Sequence, residues 1–354
     1  GIVTGRKQGS TKITAKAGGK KYQCRVTVKK PAAVKTPAAP KPSVTPKPTS
    51  SPRPSEPAKN KEDVAALKKL IEEQKAKGAW LSQEISDEDS YTWENGRLTE
   101  IFWSGCEITG TIDFSGLSEL KNVVLEYNEI EQINISSNYK LESLNVSDNS
   151  VKSLSIGNPL ALKYLSCDQN NLSELNLSGC INLEYLDCSS NSLSALDVGK
   201  CPKLKNLDYG YTGLTRVDIS KCNALESLGC SGNGMKSLDL SGNTKLQTLV
   251  CYENQLESLD LSAATDLMYL GCGNNALKKL DLSSQQSLLA LDCSKCGLTE
   301  LDVNHLKDML YFNCSNNPLT GLDLSDMEKL YSISCNSCEI KELKLSNNKE
   351  LVRL

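Results

Sequence analysis

Residues 162–182 read LKYLSCDQNNLSELNLSGCIN, and residues 183–203 read LEYLDCSSNSLSALDVGKCPK. Laid over each other, they agree at one, four, six, nine, eleven and fourteen: Leu, Leu, Cys, Asn, Leu, Leu. Working outward, the first position of this 21-residue unit falls on Leu120, Leu141, Leu162, Leu183, Leu204, Leu225, Leu246, Leu267, Leu288, Met309, Leu330 and Leu351 without a slip. Position four is apolar from Val123 to Leu354, position eleven from Ile130 to Ile340, and positions fourteen and sixteen are aliphatic throughout. A fixed period of this length is the mark of a stacked solenoid. Eleven full repeats and a stub follow a longer unit, Leu98–Glu119.

The spacing predicts the geometry of each turn. Positions four and six point inward with outward residues between them, so they lie on a short strand. Copies of that strand stack into a parallel sheet about 4.8 Å apart. The L-D-L-S stretch alternates again and is expected to be a second extended segment lining the opposite side. Position nine is Asn in eight turns (Asn128, Asn149, Asn170, Asn191, Asn233, Asn254, Asn275 and Asn317), a side chain able to satisfy the backbone of adjacent turns. The expected fold is a β-rich solenoid of about twelve turns with an N-terminal helical cap. Leucine supplies its core, since aromatic residues are 5% of the chain.

This pattern resembles the leucine-rich repeat family, and specifically its short bacterial 21-residue class, the IRREKO type. The segment Tyr91-Thr92-Trp93-Glu94-Asn95-Gly96-Arg97-Leu98-Thr99 is similar to the opening module of such proteins from gut-type Gram-positive bacteria. The resemblance implies a binding scaffold on the cell surface or secreted, with no particular ligand.

Three segments precede the repeats. Residues 1–30 hold two alternating strands about the Gly18-Gly19 turn, which predicts a hairpin. With the Gly1-Ile2-Val3-Thr4-Gly5 opening and Cys24-Arg25-Val26-Thr27-Val28, this stretch resembles the last third of a bacterial Ig-like group 2 domain. Residues 31–60 contain most of the chain's twelve prolines among Lys, Ala, Ser and Thr, and are expected to be an extended linker. Residues 61–97 begin with a helix predicted over 61–77, N-capped by Asn60, with Val64, Leu67, Leu70 and Ile71 on one face. Trp80, Leu81, Tyr91 and Trp93 follow, so this segment is expected to cap the open apolar end of the first turn, residues 98–354 forming the solenoid. A partner-binding helix is the alternative. The chain starts without Met and stops inside a further repeat, so a longer parent protein is expected at both ends.

Charge divides the chain sharply. Residues 1–60 carry 14 Lys and Arg against one acid, Glu56, whereas residues 98–354 carry 20 basic against 33 acidic residues. The basic arm suits an anionic wall polymer, and the acidic body argues against nucleic acid. No apolar run reaches the length of a membrane span. The single histidine, His305, removes most His-based catalysis and metal ligation.

Fifteen cysteines in an exported protein suggest disulfides, but their register opposes this. Eight occupy position six, from Cys167 to Cys335. Cys106, Cys296 and Cys338 occupy position nine, and Cys180, Cys201 and Cys222 position nineteen, in loops where one bridge is conceivable. Buried small hydrophobes are the expected role. The pairs Cys293/Cys296 and Cys335/Cys338 are two turns apart, too far to share a zinc ion. Asp197, Asp218, Asp239, Asp260, Asp281, Asp302 and Asp323 form an outward ladder at position fifteen. Each is expected to accept hydrogen bonds from nearby amides or Ser, with calcium between turns as the alternative.

Specificity is expected on the outward positions of the first strand, two, three, five, seven and eight. The candidate ligand-binding residues are Tyr164, Tyr185, Asp168, Asp187, Asp208, Tyr211, Tyr252, Tyr269 and Tyr311. Tyr among short polar residues gives contact area at low entropy cost. No nucleophile–base pair, phosphate loop or metal cluster is recognisable, so a non-enzymatic, monomeric module without cofactor or metal is expected, binding a protein or glycan. A structural spacer, or the targeting arm of an enzyme encoded elsewhere in the parent, are the alternatives.

Overall fold

The structure is a computed structural model that describes residues 57–354 in full and, before them, the backbone of two strands. It divides into two compact units, residues 1–55 and 56–354. In the first, β1 (Gly9–Ala17) and β2 (Lys20–Val28) pair antiparallel in register from Gly9 with Val28 to Ala17 with Lys20, which is the expected hairpin. The expected linker, up to residue 56, lies outside the described residues, as do the basic arm's side chains and Cys24.

The second unit opens with α1 (Lys61–Lys75), two residues shorter than its sequence pattern suggests. The Asn60 side chain accepts from the backbone N–H of Glu62 and Asp63, at 2.9 and 3.0 Å. Leu67, Leu70 and Ile71 are buried and Val64 half-buried, and the chain leaves the helix through Gly78 at φ +104°. The helix packs on the first turn of the solenoid, where the Gln74 amide donates to the Thr111 carbonyl. Asp63, 1% exposed, accepts a two-pronged hydrogen bond from Arg97 and a third from the Leu98 N–H. A carboxylate this buried is tolerated because its oxygens are fully engaged by a cation and an amide. Leu81 and Tyr91 join this core, whereas Trp80 is exposed.

β3 (Tyr91–Glu94) and β4 (Arg97–Phe102) form an antiparallel pair. From β4 onward the sheet is parallel, with one three-residue strand per turn from Asn122–Val124 to Ser332–Ser334. Each strand pairs with the one 21 residues on, as Tyr164 does with Tyr185, and the 22-residue first unit shifts that to Ile101 with Val123. The twelve parallel strands span about 50 Å at sheet spacing. The fold is the parallel leucine-rich-repeat solenoid that the repeat implied.

The opposite side departs from expectation. The second extended segment pairs only near the ends, as Thr109–Asp113, Glu129–Asn134 and Ser153–Ser155, and again as Gly321–Asp323 with Glu342–Lys344. Between them the segments form no ladder, and clefts of about 530 and 990 Å³ open between turns. Positions eleven, fourteen and sixteen are aliphatic in paired and unpaired turns alike, and the paired Gly321–Asp323 and Glu342–Lys344 turns carry Cys314 and Cys335 at position six, so neither feature by itself decides where the second segment pairs.

Two buried columns tie the turns together. At position nine, Asn170 donates to the carbonyls of Val146, one turn back, and Cys167, and its oxygen accepts from Val151 N–H at 2.8 Å. Asn191, Asn254, Asn275 and Asn317 repeat this scheme. Cys296 and Cys338 donate to the equivalent carbonyls, of Cys272 and Cys314. Position nineteen forms the second column. Asn138 and Asn243 each donate to two carbonyls of the preceding turn. Cys180, Cys201 and Cys222 lie in loops at this position, as expected, with their side chains buried in the core. All fourteen described cysteines are free thiols.

Candidate functional site

From the second turn on, the strand covers positions three to five only, narrower than the expected outward face. Position eight, placed on that face by the sequence, is a left-handed corner in every turn, with φ between +51° and +59° from Tyr127 to Ser337 and +67° at Gly232. This corner swings the chain so that position nine points inward. It costs a non-glycine residue about 1 kcal/mol or more, and Tyr127 and Tyr211 accept that cost while exposing their rings.

The candidate residues form two groups. In the first, Tyr164 and Tyr185 stack face to face, centroids 4.4 Å apart and planes at 11°. Asp187 ends its strand and accepts from Ser189 N–H and hydroxyl, at 3.0 and 2.7 Å. Asp168 accepts from the Ser147 and Ser166 hydroxyls, and Asp208 from Gly210 N–H. A shallow cleft of about 140 Å³ lies between Tyr185, Asp187, Asp208 and Gly229. Burial pushes the Asp187 carboxyl up to about 6, reinforced by the charges of Asp168 and Asp208. Asp208 and Asp148 are raised for the same two reasons, burial first. These carboxylates are crowded and only partly solvated.

Four turns on lies the second group. The Tyr252 and Tyr269 hydroxyls are hydrogen-bonded at 2.9 Å, and Tyr311 meets Tyr331 edge-on, centroids 5.9 Å apart. A cleft of about 220 Å³ is bounded by Tyr252, Tyr269, Tyr311, Asp292 and Asn313. Tyr211 stands between the groups, its hydroxyl 3.4 Å from Glu253. Three glycines make room for these side chains. A Cβ on Gly229 would sit 2.3 Å from Asp208, one on Gly232 2.3 Å from the Tyr211 ring, and one on Gly271 2.4 Å from the Tyr252 ring. Comparing each outward position with its neighbour 21 residues away would have revealed the beds of Asp208 and Tyr211, but not that of Tyr252, whose ring lies over a glycine two positions earlier in the next repeat.

The same comparison exposes a column the sequence reading passed over. Position two runs Lys121, Glu142, Lys163, Glu184, Lys205, Glu226, then Gln247, Met268, Leu289, Leu310, Tyr331 and Val352. In the first half the charges pair between turns, Lys163 with Glu142 at 2.7 Å and Lys205 with Glu184 at 2.8 Å. In the second half the column is apolar, with Met268 and Tyr331 exposed and Leu289 and Leu310 half-buried.

On the other side, the position-fifteen ladder has the expected hydrogen bonds. Asp218, Asp239, Asp260 and Asp281 each accept from the N–H of the Ser two residues on, at 2.9–3.0 Å. That bond holds each carboxyl below its ordinary range. Among the described residues no three His, Cys, Asp or Glu side chains converge as a metal site, and no helix is long and apolar enough to cross a membrane.

These features define a leucine-rich-repeat solenoid with an elaborated strand face, and solved structures of that class are similar to it. The functional domain of InlJ from Listeria monocytogenes, which includes a cysteine ladder, is 32% identical with a TM-score of 0.70, covering 72% of this chain and 57% of that one. The chain thus spans little more than half the length of that relative. The internalin InlF of Listeria monocytogenes (18% identical, 82% and 94% covered, TM-score 0.65) and the effector YopM of Yersinia pestis (21%, 82% and 93%, 0.61) share the fold. No protein-family model and no curated protein matches the chain.

Proposed function

We propose that the chain is a non-enzymatic recognition module of a surface-displayed or secreted bacterial protein, binding a protein or glycan through its strand face. One observation carries this reading. The solenoid keeps an aromatic stack beside carboxylates whose burial raises Asp187 and Asp208, at positions where other turns have Asn, Ser, Gly or Val. Framework packing does not require that expense, and a ligand that supplies donors to the carboxylates and a flat group to the rings recovers it. The likeness to InlJ supports a binding role, and the basic arm suits an anionic wall polymer.

The test is the double variant Tyr164→Ala with Tyr185→Ala, applied to an immobilised panel of oligosaccharides and extracellular-matrix proteins. Capture is expected to fall at least tenfold with the melting temperature unchanged. Unchanged capture would remove the strand face as the site.

A further inference from the structure

We infer that the apolar column of the second half, Met268, Leu289, Leu310 and Tyr331, is the docking surface for a basic amphipathic α-helix of a protein partner. The inference rests on strand-face recognition and adds where the partner lies and what it is.

The column is continuous. Its backbone is hydrogen-bonded turn to turn, Leu289 N–H to Met268, Leu310 N–H to Leu289 and Tyr331 N–H to Leu310, so the side chains stand in register. Tyr331 joins it to the aromatic cleft through its edge-on contact with Tyr311. Nothing in the framework asks for apolar residues here, because the same position carries Lys and Glu in the first half on the same repeat framework. An exposed apolar row with a polar border is the composition of an interaction site.

Dimensions select the occupant. Three intervals of sheet spacing make the row about 14 Å long. A helix lying along the solenoid axis presents one apolar residue about every 5.4 Å and covers the row in three turns, drifting by under about 2 Å. The row is one side chain wide, so it offers a few hundred Å². A second copy of the chain would need about 800 Å² per partner. Charge selects the flank. On the side before the row, Asp266, Asp308 and Glu328 stand against Lys307 and Lys329, with Lys329 paired to Asp308 at 2.6 Å; on the strand side Asp292 adds one acid, its oxygens accepting from Ser294 and Asn313. The border is net acidic, which fits Lys or Arg beside the helix's apolar stripe. The cleft between Tyr252, Tyr269 and Tyr311 is below the roughly 300 Å³ of small-molecule pockets, sized for one inserted side chain.

The experiment uses the full chain and a fluorescein-labelled Leu/Lys peptide of about 14 residues patterned at the helical period. Its controls are a scrambled peptide and a Leu/Glu peptide. The variant Met268→Glu/Leu289→Lys/Leu310→Glu gives the second half the charges that the first half already carries, so it is compatible with the fold. Anisotropy is expected to show saturable binding of the Leu/Lys helix, at least tenfold weaker to the triple variant and to both control peptides. Equal binding to the variant, equal binding of the Leu/Glu helix, or no binding by any peptide overturns the inference. So does a dimer in sedimentation that the triple variant abolishes, which would make the occupant a second copy. If the Tyr164/Tyr185 variant loses panel capture while the triple variant keeps it, strand-face recognition stands and the helix site falls. If both variants keep it, both fall.

Discussion

The two halves of the solenoid share an inward face and differ on the outward one. Through residues 120–245 the column beside the sheet alternates Lys and Glu, and the strand face carries the Tyr164–Tyr185 stack with crowded carboxylates. Through residues 246–354 that column is Gln, Met, Leu, Leu, Tyr and Val, beside a larger aromatic cleft with fewer acids. Leu165 and Leu270, at the same inward position, are both fully buried. A core indifferent to what lies outside it can support either surface, so the fold does not dictate which surface each half carries.

The largest effect should therefore ignore the boundary between halves. Asn170 and Asn275 each hold carbonyls of two turns and accept an N–H from the turn before. Replacing either with Ala leaves several buried backbone groups unpaired, at about 1–3 kcal/mol for each one that stays dry. Urea unfolding should show both variants destabilised by about 2–5 kcal/mol and within about 1 kcal/mol of each other. A cost confined to one half would mean that the halves differ in their framework. The chain contains its own milder version. At Cys296 the thiol replaces the donor but not the amide acceptor, and the preceding turn adjusts, with Lys278 at φ +60° and its N–H turned to the Cys296 carbonyl.

Much of this was legible in the sequence because an inward residue has one job. The 21-residue spacing of Leu, Cys and Asn gives the sheet, its register, the asparagine column and the reduced cysteines. Where a position does two jobs, the pattern misleads. Position eight looks like a strand residue, yet it turns the chain through left-handed φ whether it is Tyr127, Lys295 or Gly232. The L-D-L stretch alternates like a strand, but pairing depends on turn separation, which the bulk of all the inward residues sets together. Of the site, the tyrosines were visible one at a time. The Tyr164–Tyr185 stack, the glycine beds beneath Asp208 and Tyr211, and the apolar column become visible only when residues 21 apart are read as neighbours, while the contacts of Tyr252 and Tyr311 run diagonally between repeats and need the structure.

A smaller effect separates the strand face from the opposite side by its sign. Asp187 has a folded-state carboxyl raised to about 6, so its ionised form is the less favourable one in the fold. Stability from this group rises as pH falls from above 6 toward its ordinary value near 4. Asp218, Asp239, Asp260 and Asp281 are held low by their N–H donors, so their contribution is present above pH 4 and is lost as pH falls through their folded values. Asp187→Asn should raise the melting temperature at pH 7.5, by progressively less as pH falls from 6 toward 4, and not at all at pH 3. An increment that stays constant with pH would mean that Asp187 is not strained by its charge.

The smallest effect probes the charged column itself. Lys163 pairs with Glu142 at 2.7 Å, yet both side chains are about half exposed, at 54% and 48%. Exposed pairs contribute about 0.2–1 kcal/mol and are screened by salt. Lys163→Ala should therefore lower stability by less than about 1 kcal/mol at low ionic strength and by less still in 0.5 M salt. Lys163→Leu is the sharper form, because it places in the first half the residue that position two holds at Leu289 and Leu310. If charge in this column exists to hold turns together, the leucine variant should lose as much stability as the alanine one. If it exists to keep this half of the surface free of partners, stability should hold and the variant should gain weak affinity for the Leu/Lys helix. The second outcome is expected, since Met268, Leu289 and Leu310 stack on the same backbone ladder without any ion pair at that position.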